Sequence, residues 1–153
     1  MELKTQIKAE AGKQDILITR QFELPVDLVF RAYTEADLFE QWMNTRVIKW
    51  DCRPHGSWQI ETSDPHGNVV FKANGVIHEF VPSSKITRTF EMENTGFPIQ
   101  LEFLTFESIS AETTLLTVHT IFKSVTDRDN LLKMPFAFGL NMAHDRLQTL
   151  FTK

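Results

Sequence analysis

The sequence predicts an α+β fold in which a curved antiparallel sheet buries one face against a long C-terminal helix, with two short helices after the first strand. Three observations predict it. Strand-like runs follow one another through the middle of the chain with short turn-rich gaps, two brief amphipathic runs precede them, and the tail changes to a helical period.

The first strand is the β-branched run in which Ile16 and Ile18 alternate with Leu17 and Thr19; it stops at Pro25. Val26, Val29, Phe30 and Tyr33 then fall at i, i+3, i+4 and i+7, one stripe of a helix, with Asp27 in its first turn where the helix dipole favours a negative charge. Thr34-Glu35-Ala36-Asp37 reads as a capping box that starts a second helix on Thr34, with Leu38, Phe39, Trp42 and Met43 as its core. Helices this short need a larger surface to rest on.

Val47 to Trp50, Ser57 to Thr62, Val69 to Val81, Lys85 to Asn94, Ile99 to Ser108 and Thr113 to Phe122 supply that surface as strands. Connections such as Asp64-Pro65-His66-Gly67-Asn68 are too short for parallel crossovers, so the pairing is an antiparallel meander. Asp127 to Lys133 forms a brief helical turn. Beyond it Phe136, Leu140, Ala143, Leu147, Leu150 and Phe151 mark the apolar stripe of the long helix.

The 153 residues suit one domain over 14–153, preceded by a flexible arm over 1–13. Sixteen Lys and Arg against 20 Asp and Glu, with no basic block, argue against nucleic acid as a partner. No run approaches the ~20 apolar residues of a membrane span, the first residues lack a signal-peptide core, and Cys52 stands alone; a cytoplasmic protein is expected. Thirteen Phe and 3 Trp against a single Tyr place most aromatic area where no polar handle is needed, in a dry interior.

The chemical motifs are mostly negative. The chain has no GxSxG, HExxH, P-loop or GxGxxG pattern, and Cys52 with His55 makes only half of a metal site, so neither metal nor cofactor is expected. His66 falls at a hairpin tip and His119 on the polar side of its strand. Strand parity groups His78 with Val76 and Phe80, Arg88 with Phe90, and Glu107 with Phe103, and turns all of them toward the concave face. Arg88 there reads either as one half of a structural ion pair or as the polar anchor of an apolar pocket.

Taken in order, Pro25 with the helix to Tyr33, Trp42, the run Trp50-Asp51-Cys52-Arg53-Pro54-His55-Gly56-Ser57-Trp58, Gly75 followed by Pro82, and Gly139 with Asp145-Arg146-Leu147 resemble one family. It is the family of homologues of the activator of the heat-shock protein 90 ATPase, within the START-like, helix-grip superfamily also labelled SRPBCC. The resemblance implies that the long helix lies across the concave sheet over a hydrophobic pocket, with Trp42 and Met43 near its closed end and Trp58 in the packing around it. Three positions depart from the family's pattern: His55 where a second Gly is frequent, Leu140 where Trp is frequent, and His144 where an aliphatic residue is usual. All three fall near the implied pocket, and His144 either keeps a nitrogen in water at the helix edge or turns into the pocket toward a ligand.

The candidate cavity residues are therefore Trp42, Met43, Trp58, His78, Phe80, Arg88, Phe90, Phe103, Leu140 and His144. The leading function is binding of a hydrophobic or amphipathic small molecule. The alternative is a co-chaperone-like interaction domain in stress response, with a chaperone or other protein as partner. A cyclase- or hydrolase-type enzyme using His78 or His144 is weaker, because no carboxylate or nucleophile is placed beside either; the reading leans away from catalysis. Full activators of that chaperone carry a separate docking domain for which this chain leaves no room, which favours the ligand. Oligomeric state stays open, a homodimer included.

Overall fold

In the computed structural model, which describes residues 3–151, the chain begins with an edge strand where the sequence suggests an arm. Strand β1, Gln6–Lys8, pairs antiparallel with β2, Asp15–Phe22. The reason lies in Thr5, which is 3% exposed: it satisfies polar groups of β2 and of the last helix that burial would otherwise leave unpaired.

Helices α1, Val26–Thr34, and α2, Ala36–Met43, carry the chain from β2 to the far edge of the sheet. The break between them is at Glu35, whose backbone is extended (φ −96°, ψ 123°), one residue later than the expected cap. Thr34 does not cap α2; its hydroxyl donates back to the Phe30 carbonyl at 2.9 Å. The free carbonyls ending α1 find indole donors instead. Trp42 Nε1 donates to Ala32 O and Trp50 Nε1 to Thr34 O, both at 2.7 Å, which locks α2 and the next strand onto α1.

The meander β3 (Arg46–Trp50), β4 (Ser57–Ser63), β5 (Val69–Val81), β6 (Lys85–Met92), β7 (Gln100–Ser110) and β8 (Thr113–Ile121) then returns across the sheet to pair with β2. All pairs are antiparallel and the order is β1-β2-β8-β7-β6-β5-β4-β3. Gly75 stands opposite Trp58, and a Cβ at Gly75 would lie 2.0 Å from the Thr89 carbonyl oxygen and 2.6 Å from the indole. Only glycine lets Trp58 lie down across β5.

After α3, Val125–Leu132, capped by the Ser124 hydroxyl, the last helix α4, Phe136–Thr149, packs on α2. Its C-terminal half is seated through Ala143, His144 and Leu147, whereas Phe136 and Leu140 remain only half-buried. That uneven seating leaves space between the first turns of α4 and the concave sheet. The architecture is the helix-grip fold expected from the sequence.

Candidate functional site

The space is a cavity of about 340 Å³. Register fixes its floor: Ile18, Val118 and Leu104 pair across β2, β8 and β7, and one inward step along the strands Ile16, Thr120, Glu102 and Arg88 pair across to β6. Gln100 and Phe90 form the next row. Tyr33, Phe39, Trp42 and Met43 wall it from the small helices, and Phe136, Leu140, Ala143 and His144 roof it from α4. Half-exposed Met43, Met92 and Leu140, with exposed Arg146, mark its mouth.

The sequence candidates divide. Trp42, Met43, Arg88, Phe90, Leu140 and His144 line the cavity. Trp58 is 3% exposed and lies one layer behind, against Phe90 with ring centroids 5.4 Å apart. Phe80 is packed edge-on against Phe30 and does not reach the cavity. His78 is exposed on the same side as Val76, and a register shift between Ile77 and Glu79 breaks the parity that grouped it with Phe80. Phe103 lies on the outer face beside His119, and Glu107 is exposed with it. On β7 the inward row is Gln100, Glu102, Leu104 and Phe106, and the charge of Glu102 disguised it.

Two polar systems meet in the cavity wall. In the first, Arg88 Nε donates to Glu102 Oε1 at 2.9 Å and Gln100 Nε2 donates to Glu102 Oε2 at 3.0 Å. The side chains of this ion pair are 12% and 10% exposed, and the guanidinium lies 5.3 Å over the Trp58 ring. Among the described residues, the terminal nitrogens of Arg88 find no acceptor.

The second system runs from the sheet to α1 through α4. Arg20, its side chain 1% exposed, donates to Asp145 Oδ1 at 2.8 Å, Thr5 Oγ1 at 3.1 Å and Asn141 Oδ1 at 3.3 Å. Thr5 Oγ1 lies 2.8 Å from His144 Nδ1, and Tyr33 Oη lies 3.0 Å from His144 Nε2. His144 thus turns into the cavity wall, as one of the two expectations had it, but fully buried with both nitrogens engaged by protein, so neither is left in water or free for a ligand. Burial, with the Arg20 charge behind it, pushes its pKa down to about 3, so the ring is neutral at pH 7. Burial likewise pushes the Tyr33 hydroxyl well above the usual phenol range.

Tyr33 went unnoticed as a site residue, although the lone tyrosine among 13 Phe was the available signal. Cys52, half-buried with its thiol pushed up to about 11 by burial, is no ready nucleophile. The described residues contain no cluster of metal-ligating side chains and no helix long and apolar enough to cross a membrane.

Among solved structures, protein Ms6760 from Mycobacterium smegmatis is similar at TM-score 0.85 and 20% identity, covering 97% of this chain and 96% of that one. A Rhodobacter sphaeroides protein matches at TM-score 0.85 and 14% identity over 95% and 97% of the two chains. An Arthrobacter aurescens protein matches at 0.84 and 12% over 95% and 90%. At such identities the likeness establishes the fold. No curated protein matches the sequence. The model of one family, described as Activator of Hsp90 ATPase homolog 1-like protein, matches residues 23–152, from the end of β2 through α4 with every cavity wall but the β2 face. The chain belongs to the Activator of Hsp90 ATPase homolog 1-like protein family.

Proposed function

We propose that this protein binds an apolar or amphipathic small molecule between the concave sheet and α4. The observation that carries the reading is the cavity of about 340 Å³ walled by aromatic and aliphatic side chains with a few convergent polar groups. Its size is at the lower end of the ~300–1,000 Å³ typical of small-molecule sites. A core without a ligand role would close such a space, because an unfilled apolar void costs stability in proportion to its volume. Trp42, Met43, Arg88, Phe90, Leu140 and His144 form its walls under this reading, in a cytoplasmic single-domain binder.

Native mass spectrometry of the purified protein, before and after adding the uncharged apolar fluorophore N-phenyl-1-naphthylamine, tests the reading. The expected result is one equivalent of bound mass, lost in Ala143→Phe, which fills the cavity from the roof. Absence of any bound mass, or unchanged uptake by Ala143→Phe, would overturn it.

A second reading, a protein-interaction domain acting on a chaperone ATPase, draws support from the family and from one surface. Met134, Phe138 and Met142, 51%, 58% and 45% exposed, recur every four residues on the outer side of α4 and the turn before it. Calorimetric titration against a purified Hsp90-type chaperone should show binding that Phe138→Ser abolishes; no heat of binding removes this reading.

A further inference from the structure

The orientation of the hydrogen bonds through His144 follows from the one partner that cannot accept. Arg20 has only donors, so Thr5 Oγ1, 3.1 Å from Arg20 Nη1, must accept from it. The hydrogen of the Thr5 hydroxyl then needs an acceptor of its own. Thr5 is buried, and among the described residues the single acceptor within hydrogen-bond distance of its hydroxyl is His144 Nδ1 at 2.8 Å. Were Nδ1 protonated instead, two donors would point at one oxygen and the hydroxyl hydrogen would be stranded, which is costly in a dry interior.

Nδ1 therefore accepts, and since the ring is neutral its proton resides on Nε2. Nε2–H donates to Tyr33 Oη at 3.0 Å. Tyr33 is thereby an acceptor in its only protein hydrogen bond among the described residues, and its own O–H is left with no protein acceptor. Tyr33 lines the cavity. A buried donor left without a protein acceptor on the wall of a largely apolar cavity is a recognition element.

We propose that Tyr33 O–H is the specificity-determining donor of the cavity, held in place by Arg20, Thr5 and His144 as positioning residues, and that the ligand is an uncharged apolar molecule presenting a carbonyl-type oxygen to it. The group that meets Tyr33 is uncharged because Arg88, the cation of the sheet floor, is already balanced by Glu102, while Arg146, the other arginine of the lining, stands exposed at the mouth. The proposal rests on the small-molecule reading above and adds the chemistry that the wall selects.

Benzophenone, diphenylmethane and diphenylacetate test it, since the first two differ only in a carbonyl oxygen against a methylene and the third adds a negative charge. Binding is followed by tryptophan fluorescence, Trp42 being part of the wall. The wild-type chain should bind benzophenone about tenfold more tightly than diphenylmethane and bind diphenylacetate most weakly. Tyr33→Phe should bind the two neutral probes equally, with the affinity of the wild type for diphenylmethane. Should Tyr33→Phe not fold, Thr5→Val removes the far end of the chain of donors and should shrink the ketone preference. Independently of any variant, long-range proton–nitrogen NMR of the wild type should show His144 protonated at Nε2.

A wild type that binds both neutral probes equally, a ketone preference that survives Tyr33→Phe, tighter binding of diphenylacetate, or a proton on Nδ1 overturns the donor assignment while leaving a binding cavity. Failure of every probe to bind the wild type overturns the small-molecule reading and this proposal with it.

Discussion

The hydroxyl of Thr5 stands 2.8 Å from Nδ1 of His144, joining residues 139 positions apart in the chain. The N-terminal segment is thereby tied to the face of α4 that roofs the cavity. Thr5→Val keeps the shape and removes the hydroxyl, leaving Arg20 and His144 each short of a partner. We expect it to lower stability by about 1–3 kcal/mol in urea unfolding. A loss indistinguishable from zero would show that Thr5 does not hold the N-terminal segment to α4.

The burial of His144 sets a pH dependence. Its folded pKa of about 3 lies below the ordinary 6.5, so between those values the unfolded chain binds more protons than the folded one. The stability His144 supports is present above pH 6.5 and is lost as pH falls toward 3, at up to about 1.4 kcal/mol per pH unit. His144→Leu removes that proton. The stability gap between wild type and His144→Leu should therefore narrow on acidification from pH 7 to pH 4 in matched denaturant melts; a gap that stays constant would contradict a neutral buried imidazole.

Arg88 and Glu102 form a nearly buried pair whose partners need each other. Glu102→Leu alone strands the guanidinium and should cost about 3–5 kcal/mol. The double variant Arg88→Met with Glu102→Leu should recover most of the loss, because an apolar pair fills the same wall without desolvation. Additive losses in that cycle would mean that the two charges act independently.

Trp58 and Gly75 make a steric pair. Trp58→Ala should cost about 3–5 kcal/mol, as expected for a core indole that is 3% exposed. Gly75→Ala should also destabilise strongly, and adding Trp58→Phe should not rescue it, since the new Cβ still meets the Thr89 carbonyl at 2.0 Å. Rescue would assign the constraint to the indole alone.

The antiparallel meander and the helix positions are legible because periodicity and turn residues act locally, as in the stripe from Val26 to Tyr33, whereas β1 and the pairing of β2 with β8 are not. The misread positions share a different cause. A register shift after Ile77 separates His78, which faces outward with Val76, from the partly buried Phe80, and a charged residue, Glu102, occupies the inward row of β7 so that Phe103 looks like the buried one. Neither effect is local to one strand: the shift depends on pairing with β6, and Glu102 is tolerated inside because Arg88 faces it. The same holds for the capping box, where Thr34 bonds backward to Phe30 and the end of α1 is closed by Trp42 and Trp50. Tyr33 and Thr5 escaped notice because their roles come from partners on α4, more than a hundred residues away.

Whether a small molecule enters the space beneath α4 is read out by protein–ligand NOEs. With methyl-labelled protein and saturating benzophenone, a ligand in the cavity gives NOEs from the probe to Met92, Leu104 and Leu140, which line it. NOEs confined to Met134 and Met142, on the exposed side of α4 and the turn before it, would place the binding surface outside and contradict the account.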